Sequence, residues 1–224
     1  MGKRDTIKKN RNQQKKQDFW VILIISIIAL AIIGVIVISK LPKGTATVAT
    51  SARPMADGLN MGDPNASVKV VEFADFQCPY CQLYWKNVEP TIVSNYIATK
   101  KIYYTYSPMA FLGQESIDAA EAAYCANDQS KFWEYRDYLF GNQTGENTGD
   151  FSQAHLLDFA KKLNLDVTTF KECLTSGKYA QKVTDANSYA TQQGVNSTPS
   201  FLVNGKVYSA DQVQQAIETA LSGK

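Results

Sequence analysis

The sequence has a single histidine, His155, and only four cysteines among its 224 residues. A structural zinc site needs about four ligands, drawn mostly from cysteine and histidine, and no partner motif lies near His155. We therefore expect His155 to be a helix-surface residue, and we expect neither a metal nor a cofactor. Internal repeats are also absent, so one core is the simplest expectation for the globular part.

Charged residues are missing from the whole of residues 19–39, FWVILIISIIALAIIGVIVIS. A helix of this length, rising about 1.5 Å per residue, spans about 30 Å, the thickness of a bilayer's hydrocarbon core. Residues 1–18 carry seven Lys and Arg against two Asp. This excess predicts a basic cytoplasmic tail, a single transmembrane helix and an extracytoplasmic remainder, anchored to the cell membrane. The tail has no interleaved aromatics, so we expect no nucleic-acid partner.

The competing interpretation of this N-terminus is a cleaved signal peptide. The apolar region of such a peptide is usually about 7–15 residues long and ends at small residues. Here the apolar segment is longer, and Lys40 and Lys43 precede the first small-residue site, Thr47-Val48-Ala49. The sequence therefore favours a retained anchor. In either case the rest of the chain faces an oxidising compartment, in which disulfides persist.

The segment after the anchor changes in composition. Residues 40–66 are rich in Pro, Gly, Ala, Ser and Thr and show no apolar periodicity, which predicts a flexible linker. Beyond it, two β-rich runs at 68–73 and 101–106 flank a helical segment, a pattern that indicates a parallel βαβ unit. Pro90 should kink that helical segment. Near the C-terminus, Asn204-Gly205 separates two short apolar runs and predicts a β-hairpin.

A long helical region separates these two parts of the chain. Apolar residues at spacings of three and four predict five helices, at roughly 115–126, 132–140, 153–163, 167–176 and 178–193. The simplest architecture is one α/β domain over residues 67–224, with a helical subdomain inserted at about 113–185.

Cys78 and Cys81 belong to a CPYC motif that enters a helix directly after a strand. At a helix start, unpaired backbone N–H groups and the helix dipole stabilise a thiolate on the first sulfur. Cys78 is then the reactive thiol, and Cys81, one turn further on, resolves the mixed disulfide formed at Cys78. A purely structural bridge is the alternative, but so short a loop constrains the unfolded chain little.

Cys125 and Cys173 fall in two separate predicted helices, 115–126 and 167–176. In an oxidising compartment, two isolated cysteines in packed helices are more often bridged to each other than free. We therefore expect a structural Cys125–Cys173 disulfide, with two buried free thiols as the alternative.

Glu72 lies six residues before Cys78, in a run that is otherwise typical of a buried strand. A buried carboxylate is costly unless it has a function. The hypothesis is that Glu72, with a pKa raised by burial, moves protons to and from Cys81 through water. The alternative is an edge-strand glutamate that points to solvent. Beside the cysteines, Phe76 and Tyr80 are candidates for substrate contact.

Three separated segments together resemble the DsbA-like thioredoxin-fold oxidoreductases, and in particular their membrane-tethered bacterial members. VVEFADFQCPYC is similar to the family's strand and motif, AAEAAYCANDQSKFWEYRDYLF to its inserted helices, and GVNSTPSFLVNG to its cis-proline loop. The resemblance runs from about Ser67 to the C-terminus. It implies an α/β, thioredoxin-like fold with an inserted helical subdomain, preceded here by the transmembrane helix.

The resemblance also implies roles for individual residues. Thr198-Pro199 would be a cis peptide bond beside the CPYC motif, with Thr198 backbone groups pairing with an extended substrate chain. Glu72 would occupy the family's buried acidic position under the active site. One departure is that the best-known oxidases of the family carry His where Tyr80 stands here, so their strongly oxidising potential does not carry over.

Three functions are compatible with these residues. The leading one is an oxidase that passes a Cys78–Cys81 disulfide to reduced secreted proteins and is reset by a membrane redox partner, which the family analogy implies. The second is a reductase or isomerase of the same fold, although isomerases of this type usually bring a dimerisation domain, and the linker is too short and too low in apolar content to be one. The third is a non-catalytic peptide-binding chaperone, which would survive loss of both motif cysteines.

Overall fold

The computed structural model describes residues 53–223, in which five strands form one mixed sheet. The strands are β1 (Asn60–Gly62), β2 (Val68–Ala74), β3 (Ile102–Pro108), β4 (Ser200–Val203) and β5 (Lys206–Ser209). They lie in the order β1-β3-β2-β4-β5, with β2 and β3 parallel and the other neighbours antiparallel. The central strand β2 ends at Ala74, four residues before Cys78.

The helical segment between β2 and β3 completes the predicted βαβ unit. α1 spans Pro79–Asn87, α2 spans Glu89–Ile92, and a π-helical turn follows at Val93–Ile97. The helix is interrupted at Val88, whose φ is −112°. Pro90 has no N–H to donate to the carbonyl four residues earlier, so the kink expected there is present as a break between α1 and α2.

The C-terminal hairpin is also confirmed. Asn204 and Gly205 have φ values of 45° and 86°, and two successive residues in the left-handed region make the tight turn whose twist suits a two-residue hairpin. All four residues of β4 are buried, and the last helix, α8 (Val213–Leu221), packs against that strand.

The residues just before β2 correct the predicted linker. Residues 53–66 are not a free tether, because β1 pairs antiparallel with β3 and Met61 is fully buried. At Gly62, φ is +90° and a Cβ would lie 2.3 Å from the carbonyl oxygen of Ile102, so only glycine fits. A strand of three residues is too short for alternation to reveal. The rest of the predicted linker, 40–52, lies outside the described residues.

Five helices connect β3 to β4 and match the five predicted ones to within two residues at each end. The fold is therefore α/β and thioredoxin-like with a helical insertion, although the last of these helices continues beyond residue 185, where the insertion was expected to end. The helices are α3 (Gln114–Asn127), α4 (Phe132–Asn142), α5 (Gln153–Lys162), α6 (Val167–Thr175) and α7 (Ala180–Gln192).

Membrane attachment was predicted for the N-terminal part of the chain. The basic tail at 1–18 and the transmembrane helix at 19–39 lie outside the described residues. Within residues 53–223, no helix has the length and apolar content needed to cross a bilayer.

Candidate active site

The CPYC motif lies where β2 passes into α1. Cys78 is the last residue before the helix, with φ −71° and ψ 118°, and Pro79 is the first helical residue. The Cys78 N–H donates to the carbonyl of Asp75 at 3.1 Å, and the Cys78 carbonyl accepts the N–H of Cys81 at 3.1 Å. These backbone bonds place Cys78 at the N-terminus of α1, where the helix dipole favours negative charge.

The two motif thiols are free and differ in exposure and acidity. Cys78 is 5% exposed, whereas Cys81 is fully buried. A hydrogen bond from the Cys81 thiol, together with the backbone N–H groups of Tyr80 and Cys81 at the helix start, outweighs burial and lowers the pKa of Cys78 to about 6. Burial, and the bond to Cys78, raise the pKa of Cys81 well above its usual value. At neutral pH the outer sulfur is therefore mainly a thiolate, while the inner one keeps its proton.

The loop before β4 lies against this pair. The Thr198-Pro199 peptide bond is cis, and the carbonyl of Thr198 accepts a hydrogen bond from Cys78 Sγ at 3.3 Å. The Thr198 hydroxyl oxygen is buried and has no hydrogen-bond partner within the part of the chain that the structure describes. The structure thus brings the Thr198-Pro199 loop next to the CPYC motif.

The two aromatic candidates for substrate contact have opposite environments. Tyr80 is 71% exposed and lies between the two cysteines in the chain. Phe76 is only 1% exposed. Its ring stacks on that of Tyr106 with centroids 5.6 Å apart, and it packs at a tilt against Phe140 at 5.3 Å. The expectation that Phe76 faces substrate is therefore wrong. The residue is part of the core, because the loop before Cys78 turns inward under the insertion.

Asp75 holds this loop in place, a role that sequence reasoning missed. One carboxylate oxygen accepts the N–H of Gln77 at 2.8 Å and the hydroxyl of Ser116 at 2.7 Å. The other accepts the N–H groups of Phe111 and Leu112 at 2.9 and 3.1 Å. Asp75 is 1% exposed. Its hydrogen bonds hold the loop before Cys78 against the start of α3.

Glu72 is fully buried in the central strand, which excludes the solvent-pointing alternative. Its Oε2 accepts hydrogen bonds from the Tyr104 hydroxyl at 2.8 Å and from Arg136 Nη2 at 3.0 Å. Its Oε1 is buried without a partner among the described residues. Burial, only partly offset by Arg136, raises the pKa of Glu72 to about 7. The carboxyl group can therefore gain or lose a proton near neutral pH.

Four further charged residues form a buried network with Glu72: Arg53, Glu89, Arg136 and Asp137. Sequence reasoning missed them all, although one signal was present. Arg136 lies on α4 at spacings of three and four from Phe132, Trp133, Leu139 and Phe140, which are all buried. A charge in the middle of such an apolar face indicates a buried ion pair.

The remaining predicted residues lie in the helical insertion. A disulfide joins Cys125 on α3 to Cys173 on α6, with a Cα–Cα distance of 5.9 Å. His155 on α5 is exposed, and its Nδ1 lies 2.9 Å from the carbonyl oxygen of Gly149. Within residues 53–223, no three His, Cys, Asp or Glu side chains cluster in a way that would hold a metal ion.

Comparison with known proteins finds relatives that include a probable disulfide bond formation protein. Residues 55–222 match a family model described as thioredoxin. A probable disulfide bond formation protein D from Bacillus anthracis is 31% identical over 210 residues, which cover 89% of this chain and 94% of that protein. The crystal structure of oxidised BdbD from Bacillus subtilis has a TM-score of 0.68 at 26% identity, covering 77% of this chain and 98% of that one.

A further relative is similar over part of its length only. A Na(+)/H(+) antiporter NhaA 1 from Salinispora arenicola is 33% identical over 168 residues, or 72% of this chain. Those residues make up 24% of the antiporter. Because this chain spans about a quarter of that relative, its transport activity does not carry over.

Two cysteines with opposed acidities at the start of a helix, beside a cis-proline loop, define the class of thiol–disulfide oxidoreductases. The chain belongs to the thioredoxin family, and within it to the DsbA-like thiol–disulfide oxidoreductases.

Proposed function

We propose that this protein is an extracytoplasmic oxidase that introduces disulfide bonds into secreted proteins through the Cys78–Cys81 pair. Residues 19–39 would anchor it in the cell membrane with residues 1–18 in the cytoplasm, as the apolar segment and the basic tail indicate. The similarity to a probable disulfide bond formation protein D of Bacillus anthracis supports the same activity.

The observation that carries the proposal is the position of Cys78 at the N-terminus of α1 beside the fully buried Cys81, which lowers the pKa of Cys78 to about 6 and raises that of Cys81. Stabilising the Cys78 thiolate stabilises the reduced form of the pair, so the oxidised form tends to give its disulfide away. A more stable reduced pair favours transfer from the Cys78–Cys81 disulfide to a dithiol substrate.

The proposed reaction consists of two exchange steps. A substrate thiolate attacks Cys78 Sγ, a mixed disulfide forms, and the Cys78–Cys81 bond breaks with its electron pair on Cys81. A second substrate thiolate then attacks the substrate sulfur of the mixed disulfide, and Cys78 leaves as a thiolate. The substrate loses two electrons and gains one disulfide, while the pair gains two electrons. A leaving thiol of low pKa makes the second step fast.

Glu72 is proposed as the proton source and acceptor for Cys81. The Cys81 thiolate released in the first step is buried and must be protonated, because its thiol pKa is well above the usual value. A carboxyl group with a pKa of about 7 holds a proton part of the time at neutral pH and can release it through water. Tyr104 and Arg136 fix the position of that group.

Substrate is proposed to bind along the Thr198-Pro199 loop, with Tyr80 contributing the exposed aromatic surface. An extended peptide would pair with the backbone of Thr198 close to Cys78. The Thr198 carbonyl oxygen lies 3.3 Å from Cys78 Sγ, so a peptide bound there would lie next to the reacting sulfur. Each turnover leaves the pair reduced, and a membrane redox partner is proposed to reoxidise it.

Mixing the oxidised full-length protein with a reduced, unfolded protein that contains two cysteines tests the direction of transfer. We expect one substrate disulfide to form for each Cys78–Cys81 pair that becomes reduced, counted by thiol alkylation and mass spectrometry. If the oxidised protein transfers nothing while the reduced protein opens substrate disulfides, it is a reductase and the proposal is wrong.

The membrane orientation needs its own test. Protease added outside intact cells, or to spheroplasts where an outer envelope is present, should digest the domain over residues 53–223 and leave the N-terminal tail protected. Digestion that requires cell lysis would place the domain in the cytoplasm and contradict the proposed location.

A further inference from the structure

The segment that enters the domain contributes a charge to the interior. Arg53 precedes β1, and its side chain is only 10% exposed. Its Nη1 donates to Glu89 Oε1 and its Nη2 donates to Asp137 Oδ1. The guanidinium also lies 5.1 Å from the centre of the Trp133 ring. An arginine buried this deeply is rare unless it is paired.

The partners of Arg53 lead directly to Glu72. Arg136 Nη1 donates to Glu89 at 3.1 Å and to Asp137 at 3.2 Å, and its Nη2 bonds to Glu89 and, at 3.0 Å, to Glu72. Glu89 and Asp137 are thus shared between two guanidinium groups, whereas Glu72 has Arg136 alone.

The charges of this network do not balance. It contains three carboxylates, which are Glu72, Glu89 and Asp137, but only two guanidinium groups. All five side chains are buried or nearly so, and charges in so poorly solvated a place interact strongly. One carboxylate must therefore be the easiest to protonate. Glu72, which has the fewest cationic partners, is that carboxylate.

We propose that Arg53 is a positioning residue for the redox site, whose charge neutralises Glu89 and Asp137 so that Arg136 remains available to hold Glu72. The proton affinity of Glu72 then depends on Arg53, although Arg53 contacts neither Glu72 nor either motif cysteine. This inference rests on the proposed role of Glu72 in disulfide transfer.

Glu72 titrates near neutral pH, whereas the charged and titratable groups packed around it keep one charge state there. Arg136 on α4 stays charged, and Arg136 and Arg53 outweigh burial and hold the pKa of Glu89 on α2 below its usual value. Burial raises the pKa values of three tyrosines well above their usual range, so they stay neutral: Tyr84 on α1, and Tyr104 and Tyr106 on β3.

Removing the charge of Arg53 leaves Arg136 to neutralise three carboxylates. Glu72 is then expected to hold its proton to a higher pH, because the two carboxylates that Arg53 neutralised now disfavour its ionised form. The sign follows from the charge that remains around Glu72, which is more negative.

The test compares Arg53→Met with wild type in the full-length protein. The protonation of Glu72 is followed by NMR of its labelled side-chain carboxyl carbon, assigned with Glu72→Gln, and the pH profile of disulfide transfer is recorded in parallel. We expect both midpoints to move upward together. Arg53→Lys, which keeps the charge, should stay close to wild type.

Three controls complete the design. Asp137→Asn added to Arg53→Met removes one of the three carboxylates that Arg136 must then neutralise, and it should return the midpoint toward the wild-type value. Lys162→Met removes a surface charge paired with Asp158 and should not move it. Arg53→Gln replaces Arg53→Met if the latter does not fold, and failure of both to fold, with Lys162→Met folded, would overturn the proposal by making Arg53 a residue of the fold alone.

Two results separate this inference from the proposed function. A wild type that transfers no disulfides would refute the proposed oxidase, yet the NMR midpoint would still report on Arg53. An unchanged Glu72 midpoint in folded Arg53→Met, or an equal shift in Lys162→Met, would overturn the inference while leaving the oxidase standing.

Discussion

The two cysteine pairs of this protein share a residue type and differ in their surroundings. Cys78 and Cys81 are close in the chain, lie at the start of α1 and are free thiols whose pKa values have moved in opposite directions. Cys125 and Cys173 are 48 residues apart, lie within two helices of the insertion and are joined by a disulfide. Position in the fold decides which pair is reactive.

The difference has two physical sources. A sulfur at a helix N-terminus is stabilised as a thiolate by backbone N–H groups, whereas one inside a helix has no such donors. A bridge that closes a long loop restricts the unfolded chain far more than one across two residues. The first pair is therefore suited to exchange and the second to stability.

The largest expected effect is on the reactive pair. Cys78→Ser should reduce disulfide transfer to background, because no sulfur remains at the helix start. Cys81→Ser should retain the reactive thiol but accumulate a mixed disulfide with a disulfide-containing substrate, since the resolving thiol is missing. Non-reducing electrophoresis of the full-length variants shows the adduct. Disulfide transfer by Cys78→Ser, or the absence of any adduct with Cys81→Ser, would contradict the assignment of Cys78 as the reactive thiol and Cys81 as the resolving one.

The second prediction concerns the bridge in the insertion. Replacing Cys125 and Cys173 together by Ala should lower the free energy of unfolding by about 4 kcal/mol on the loop-entropy model. Disulfide transfer through Cys78 should stay near the wild-type rate. Denaturant unfolding without reductant measures the first quantity. Unchanged stability together with altered transfer would mean that this pair belongs to the reactive site.

The third prediction concerns Glu72, whose pKa rises from an ordinary 4.5 to about 7 in the folded protein. The protonated form is favoured by folding, so its stabilising contribution is complete below about pH 4.5 and is lost as the pH rises through about 7. The loss is on the order of 3 kcal/mol, from about 1.4 kcal/mol per pKa unit. Glu72→Gln cannot ionise and should remove this pH dependence.

Unfolding curves of wild type and Glu72→Gln at pH 5 and pH 8 test this prediction. The free energy of unfolding of wild type should fall relative to that of the variant at the higher pH. An equal difference at both pH values would show that Glu72 does not titrate in this range, and it would remove the proposed proton source for Cys81.

The smallest expected effect comes from the aromatic residue between the cysteines. Tyr80→Ala should change the free energy of unfolding by no more than about 0.5 kcal/mol, because the ring is 71% exposed. It should weaken substrate binding, seen as a higher KM for a peptide dithiol. Phe76→Ala is the contrasting variant, and it should cost about 3 kcal/mol of stability by opening a cavity. A large loss of stability in Tyr80→Ala would contradict the placement of the Tyr80 ring on the surface.

Much of the fold followed from local patterns in the sequence. The five helices of the insertion, the hairpin at Asn204-Gly205 and the break near Pro90 each depend on nearby residues, so periodicity and turn chemistry were sufficient. β1 was missed because three residues in a segment rich in Gly and Pro carry no alternation. The pairing of β1 with β3 joins segments more than forty residues apart, which local patterns do not report.

The site was predictable in its sulfur chemistry and less so in its surroundings. Cys78 and Cys81 were identified by their spacing and by the helix that follows them. The environment of Glu72 depends on Arg53, Glu89 and Arg136, which come from three distant parts of the chain. Phe76 was misjudged for the same reason, since adjacency to a motif does not determine which way a loop residue points.

The most direct test of the account is the equilibrium reduction potential of the Cys78–Cys81 pair in the full-length protein, with the Cys125–Cys173 bridge intact. The lowered pKa of Cys78 predicts a potential less negative than that of thioredoxin, on the side of the disulfide donors. A potential near about −270 mV, as in thioredoxin, would make the protein a reductase and contradict the central claim.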